Sequence, residues 1–398
     1  MSGLLSPGSQ VAADLLGDQA LIAALLQTEV AWAHALAAAG AVSTAQAEAV
    51  AAAADTVVID PHSTAEFTAA AGNPAAPVAA ALRAQADAAA PAVHRGLTSQ
   101  DALDTALMLL TRNAFRQIAT DLSTTADALA DLAREHRDTV AAGRTLTQWA
   151  VPVTVGLRAA QWLTGVLDAR QLILDRIEEL PVQYGGAAGT RALGAHLAPG
   201  ESDVLPTEFA RRLQLRSPQL PWHTRRSPVT GVGDAAVTVT DALGVLAADV
   251  ALLGRPEIDE LRERGAPGHG TSSTMPHKQN PVRSVLIRSL AAQTPLLAAQ
   301  LHLAAATAVD ERPDGAWHSE WRAFVQLLES TVTTASLAAP LATGLEVHTD
   351  ATAARVEAAA PDLTAEGGSS VGDPASYLGD AGRFVDLVLE RHATGTRP

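Results

Sequence analysis

The chain has 398 residues, 47% of them hydrophobic but only 3% aromatic, with a formal net charge of −15 and no cysteine. The acid excess excludes an electrostatic nucleic-acid or anionic-membrane partner, since either needs a basic face. Absence of cysteine removes disulfides, thiol nucleophiles and cysteine-ligated zinc. The apolar residues are mainly alanine, leucine and valine, which favour long helices over sheets, so the expected fold class is all-α.

The first residues, MSGLLSPGSQ, lack the basic start of a signal peptide. The most apolar early stretch, 20–42, is interrupted by Gln27, Glu29 and His34, and no run is read as reaching the ~20 residues of a membrane span. A cytoplasmic protein is expected. Residues 1–97 predict an N-terminal helical domain: Leu21, Leu25, Val30 and Leu36 form a stripe, 45–56 a second segment and 78–89 a third, with Pro61, Gly72, Asn73, Pro74 and Pro77 as punctuation. Beyond Pro91, long helices are predicted at about 100–136, 152–180, 233–263, 282–309 and 318–343. Together they make a central domain, 98–343, of long antiparallel rods. Leu286, Leu290, Leu297, Leu301 and Ala305 predict one apolar face of 282–309, with a kink at Pro295. Residues 344–398 predict a short C-terminal domain ending in a helix at 382–392.

Four segments interrupt this texture with clustered polar groups. His94-Arg95-Gly96-Leu97-Thr98-Ser99-Gln100-Asp101 leads into a helix, where Thr98 or Ser99 is the expected cap and the following amides an anion site. Gly143-Arg144-Thr145-Leu146-Thr147-Gln148-Trp149 reads as an interhelical turn. Gln183 to Thr190 is glycine-rich without the lysine of a phosphate loop, and predicts backbone that approaches a small ligand. The fourth, 268–281, begins Gly268-His269-Gly270 and continues Thr271-Ser272-Ser273-Thr274-Met275-Pro276-His277-Lys278-Gln279-Asn280-Pro281. It predicts a mobile loop whose Asn280 and Pro281 start a helix, gathering hydroxyls and a cation where negative charge is stabilised. Lys278 is the single lysine among 28 basic residues, and arginine does not replace a compact ammonium in a tight site. The histidines show no His-x3-His spacing, so no metal and no cofactor is expected.

SSTMPHKQNP over Ser272 to Pro281 resembles the signature loop of the fumarase/aspartase superfamily, and HRGLTSQDALDT resembles a second motif of its adenylosuccinate lyase and cycloisomerase branch. GRTLTQ, QYGGAAGT, Pro221-Trp222-His223-Thr224 and ERPDGAWHSEW look most like the 3-carboxy-cis,cis-muconate cycloisomerases. The resemblance covers about 4–348 and 373–389. It implies a three-domain helical subunit with a shortened C-terminal domain. It also implies a homotetramer with active sites shared between subunits, and a small polycarboxylate substrate. The implied reaction interconverts 3-carboxymuconate and 4-carboxymuconolactone in aromatic catabolism. A sibling lyase that expels another good leaving group, such as nitrite from nitrosuccinate, is the alternative, and a non-catalytic helical oligomer a further one.

By the resemblance, Ser272 is the acid–base at the α carbon, and Lys278 and Asn280 hold the enolate-like carboxylate. Thr98, Ser99 and Gln100 bind a second carboxylate and Arg312 a further anion. His94, Arg95, Gln148, Trp149, Arg226, Ser273 and Met275 complete the expected substrate contacts. Amine-expelling members carry a histidine acid where this chain has Leu146. A leaving carboxylate, with a pKa near ~4, needs no such proton. Trp149, Arg225 and Thr271 depart from the cycloisomerase pattern.

Overall fold

A computed structural model describes residues 3–201, 203–264, 270–271, 274–275, 278–370 and 372–395. Ser272 and Ser273 lie outside them. The protein is mostly helical, as expected. Chain order gives α1 (Gln10–Leu16), α2 (Asp18–Ala38), α3 (Thr44–Thr56), α4 (Pro61–Ala71) and α5 (Ala75–Gln85), then α6 (Ser99–Glu135). The strands β1 (Val140–Thr145) and β2 (Gln148–Thr154) precede α7 (Val155–Glu179), α8 (Ala192–Leu197), α9 (Val204–Leu213) and α10 (Ser227–Leu253). Next come β3 (Leu261–Glu263), α11 (Val282–Ala291), α12 (Thr294–Ala306) and α13 (Gly315–Thr343). The chain closes with β4 (Leu345–Val347), α14 (Thr349–Leu363) and α15 (Ala381–Thr394).

Local chemistry explains the starts. Ser43 and Gln46 form a reciprocal capping box on α3, while Asp60 caps α4 just before Pro61, and Gly72 ends α4 in the left-handed region. On α2 the residues Ile22, Leu25, Glu29, Trp32 and Leu36 recur at steps of three and four, all buried. That line contains one carboxylate.

Two compact units make up the chain. One comprises Met1–Arg116, Leu174–Ala235 and Leu296–Glu329, the other Gln117–Ile173, Ala236–Pro295 and Ser330–Pro398. Each boundary falls inside a helix. The first unit is organised around Trp32, whose ring centroid lies 4.5 Å from Tyr184 and 5.4 Å from Phe209. In the second, Ala142 on β1 packs with Ala359 and Leu363 of α14, and Thr240 on α10 bonds Thr294 at 2.7 Å.

Several expectations are corrected. The segment 143–149 is the tip of an antiparallel hairpin rather than an interhelical turn, with Arg144 opposite Trp149 and Thr145 opposite Gln148. Its two turn residues, Leu146 and Thr147, both have positive φ, 49° and 71°. The mirror-image turn that suits strand twist demands this, and glycine or asparagine would adopt it at less cost. The helix expected over 233–263 is α10, 227–253, and the helix expected over 282–309 is broken into α11 and α12, with Pro295 in the first turn of α12, where no N–H is missed.

The apolar face of 282–309 is also displaced. Ser284, Ile287, Thr294, Ala298 and Leu301 are buried, at heptad spacing, whereas Leu286, Leu290 and Leu297 are only half-buried. Finally, two stretches, Gln10–Ala38 and α10, are long and apolar enough to cross a membrane by length and composition, contrary to the expectation that no run was; the first is interrupted by the buried Glu29. In α10 the apolar surface is also broken by acids. Its three aspartates, Asp234, Asp241 and Asp249, fall at steps of seven and eight on one face. Asp234 pairs with His302 at 3.0 Å and Asp249 accepts the Trp162 indole N–H at 2.8 Å. A polar stripe of this kind belongs to a helix packed in a protein bundle.

Candidate active site

In the first unit, α2 grips the segment that enters α6. The carboxylate of Glu29 accepts the backbone N–H of His94 at 2.8 Å and lies 2.5 Å from its Nδ1. Three residues along, the Trp32 indole donates to the Arg95 carbonyl at 2.8 Å, and the Arg95 guanidinium reaches the Ala41 carbonyl at 3.4 Å. His94 sits in the left-handed region at φ 59°. Burial works against a charge on its ring, but the Glu29 carboxylate beside it outweighs this and holds His94 above the ordinary histidine value.

Thr98 stands just before α6, and its N–H donates to the Asp101 carboxylate at 3.0 Å, so the helix folds its own acid back onto its start. Ser99 is the first helical residue and Gln100 the second. Gln100 is fully buried. Its Nε2 donates to the His223 carbonyl at 3.0 Å, while its Oε1 has no partner among the described residues.

Asp101 is the hub of this end of α6. Besides Thr98 it accepts the N–H of Gly185 and of Gly186, each at 2.9 Å, and lies 2.7 Å from Nε2 of buried His223. An ionised carboxylate only accepts, so Nε2 carries the hydrogen and Nδ1, which is buried without a partner among the described residues, is an acceptor unless the ring is charged. The close packing at Gly185 is thereby explained by the protein's own groups. A Cβ on Gly185 would come within 2.6 Å of the His223 ring and 2.9 Å of Pro221. The backbone approaches the protein's own Asp101 and His223.

One turn further along α6, Asp104 accepts both terminal nitrogens of Arg226, at 2.7 and 3.1 Å, and the Trp317 indole at 3.0 Å. Arg226 also donates from Nε to Glu320 at 3.0 Å, from Nη2 to Glu320 at 2.6 Å, and from Nη1 to the Trp222 carbonyl at 3.3 Å. All three groups of this triad are buried. Burial pushes the Glu320 carboxyl above its usual range, although Arg226 opposes the shift. Every guanidinium nitrogen is spent, so Arg226 is a buried structural cation and not the substrate contact expected of it. Arg312 differs: its Nε is buried with no partner among the described residues.

The second unit holds the other predicted residues. At the neck of the signature loop, Thr271 and Gln279 form an antiparallel bridge, and both the N–H and the side-chain amide of Asn280 donate to the Gly270 carbonyl, at 2.9 and 3.0 Å. Gly270 needs φ 72°, and a Cβ there would collide with the Asn280 carbonyl. Lys278 is exposed, as is Met275, whose carbonyl accepts the Lys278 N–H at 3.0 Å.

The cap of α11 is Pro281 rather than Asn280. The amides expected to favour negative charge on the loop are already engaged: Glu263 of β3 accepts the N–H of Arg283 at 3.0 Å and of Ser284 at 3.1 Å, and the Ser284 hydroxyl at 2.8 Å. On the hairpin, Arg144 lies 4.5 Å over the Trp149 ring and joins Arg158 on the buried Glu260 carboxylate. Gln148 is exposed and bonds Thr147 at 3.2 Å; Arg225 is exposed and bonds Ser227 at 2.9 Å.

Thus the structure brings His94, Arg95, Thr98, Ser99 and Gln100 together in one unit and Met275, Lys278 and Asn280 in one neck in the other. Sequence reasoning missed Glu29, Asp101 and His223 as site-building residues. The signal for Glu29 was available: a lone acid in an apolar heptad line. His223 lay in a motif already noted, with no clue to its partner 122 positions away.

The profile of a family described as lyase matches residues 10–296. The chain is 41% identical over 407 residues to a nitrosuccinate lyase of Streptomyces davaonensis, spanning 100% of this chain and 85% of that one. It is 38% identical over 358 residues to a 3-carboxy-cis,cis-muconate cycloisomerase of Bradyrhizobium diazoefficiens, spanning 87% and 77%. The crystal structure of 3-carboxy-cis,cis-muconate lactonizing enzyme from Pseudomonas putida matches with a TM-score of 0.87 at 30% identity, over 97% of this chain and 98% of that one.

Proposed function

Given that this chain belongs to the fumarase/aspartase lyase superfamily, we propose that it expels a weakly basic leaving group from a succinate-like substrate, with nitrosuccinate as the first candidate. The observation that carries this is Leu146. Where amine-expelling members of the superfamily place an acid, this chain presents an alkyl side chain, 96% exposed at the tip of a strained hairpin turn. Nitrite, like a carboxylate, leaves without being protonated, so such an acid is dispensable. The likeness to a nitrosuccinate lyase, over the whole of this chain and 85% of that one, supports the same reading.

In this reaction a base removes a proton from the carbon α to one carboxylate. The electron pair forms the new double bond as the carbon–nitrogen bond to the nitro group breaks, giving fumarate, nitrite and a proton on the base. Ser272 is that base. Lys278 and Asn280 hold the carboxylate that becomes enolate-like, where positive charge and donors matter most. Thr98, Ser99, Gln100 and Arg312 bind the other anionic groups, with His94, Arg95, Gln148, Trp149, Ser273 and Met275 around them. We infer a homotetramer with sites shared between subunits, and exposed Leu296, Leu303 and Val309 are the kind of apolar surface that assembly would cover.

The second reading, lactonisation of 3-carboxymuconate, is favoured by the near-complete likeness in fold to a lactonizing enzyme. One experiment separates them. Purified protein is given nitrosuccinate, with nitrite and fumarate measured, and separately 3-carboxymuconate, with loss of diene absorbance measured. Equimolar nitrite and fumarate are expected; diene loss without nitrite release replaces the first reading by the second.

A further inference from the structure

Glu29 is a carboxylate in the buried line of α2, only 2% exposed. Burying a carboxylate is costly unless charged or strong donors meet it. His94 supplies both partners, one to each oxygen: its backbone N–H at 2.8 Å to Oε2 and its ring Nδ1 at 2.5 Å from Oε1. The histidine accepts a left-handed backbone to do so. Because the carboxylate only accepts, Nδ1 carries the hydrogen, and Nε2 on the opposite edge of the ring has no partner among the described residues.

We propose that Glu29 is a positioning residue of the substrate site: by holding the Nδ1–H of His94 it keeps that ring a cation whose Nε2–H receives a substrate carboxylate. This rests on the reading of His94 as a contact to an anionic substrate. The charged groups facing His94 come from three helices, Glu29 of α2, Arg83 of α5 and Asp101 of α6. Two are acids and one a base, so the balance favours a charged ring, and Glu29 is the one in contact.

The test uses the full-length protein labelled with 13C at histidine Cε1, with His94→Gln assigning the signal. In the wild type, His94 should titrate above the ordinary histidine value of 6.5, and in Glu29→Gln well below its wild-type position. Succinate serves as a dicarboxylate probe. It should move the His94 signal in the wild type and bind about tenfold more weakly to Glu29→Gln at neutral pH, the effect of about one unit of histidine titration. With a turned-over substrate, the increase should fall on KM more than kcat, and the loss of kcat/KM with rising pH should begin at lower pH in the variant. Glu29→Asp, which keeps the charge, should restore part of the titration and covers the case in which Glu29→Gln does not fold.

An unchanged His94 titration in the variant overturns the inference, as does a wild-type His94 signal that succinate does not move. These readouts need no turnover. Nitrite release with an unshifted His94 therefore sinks this inference alone, whereas a shifted, succinate-sensitive His94 without nitrite release sinks only the nitrosuccinate reading.

Discussion

His223 Nε2 lies 2.7 Å from Asp101 Oδ1, and the same carboxylate takes the amides of Thr98, Gly185 and Gly186. One side chain therefore ties the entry of α6 to the glycine loop and to the Trp222-His223 segment. Asparagine at 101 offers one accepting oxygen and an amide nitrogen that faces other donors. Asp101→Asn should cost about 2–4 kcal/mol, the range for a buried network left with unmet donors. Urea unfolding reads this directly, and a loss under 1 kcal/mol would mean that the amides find water instead.

Gly185 and Gly189 make a matched pair. Alanine at 185 puts a methyl against the His223 ring and Pro221, whereas at 189 there is nothing within 4 Å and only the positive φ of 75° to strain. Gly189→Ala should cost about 1 kcal/mol and leave kcat within twofold. Gly185→Ala should cost about 1–3 kcal/mol and, by moving His223 and Asp101, depress activity much further. Equal effects at the two sites would show that the His223 ring is not held where the structure has it.

The buried triad predicts a dependence on pH. Glu320 has a folded-state pKa raised above 4.5, so its protonated form favours folding, and this contribution is lost as pH rises through that raised value. Removing the titration with Glu320→Gln should flatten the stability curve above about pH 4.5, and the variant should compare better with wild type at pH 7 than at pH 4. Arg226→Met leaves two buried acids facing one another and should cost about 3–5 kcal/mol at pH 7, less as they protonate. A stability difference for Glu320→Gln that is constant with pH contradicts the account.

These cases also show what a linear reading captures. The segment His94 to Asp101 was visible because a cap, a histidine and an arginine crowd eight positions, more than helix entry needs. The long helices were visible because apolar periodicity is local. Arg226 was misread because a cation beside a motif looks the same whether it faces solvent or two acids, here 122 and 94 positions away. The hairpin at 140–154 was hidden for a different reason: Leu146-Thr147 carries none of the glycine or asparagine that a two-residue turn prefers. The face of 282–309 slipped because leucines drew the stripe, whereas the buried heptad line takes in Ser284, Thr294 and Ala298 beside Ile287 and Leu301.

The loop makes the sharpest demand. Glu263 has taken the first amides of α11, so the positive end of that helix is already compensated, and Lys278 is an exposed cation of the neck. Ser272→Ala should lower turnover by about 10²–10⁴ with folding unchanged, as loss of an acid–base group does. Lys278→Met should lower it by about 10²–10³, the loss of one stabilising group for developing charge, and Lys278→Arg should recover little, since a planar fork does not occupy the place of an ammonium. Glu263→Gln keeps one accepting oxygen for the α11 amides but turns an amide nitrogen toward a donor, and should cost about 1–3 kcal/mol of stability, with turnover within tenfold. If Glu263→Gln instead cripples turnover as severely as Lys278→Met, the helix end and its carboxylate belong to the chemistry, and the lone lysine does not carry the charge by itself.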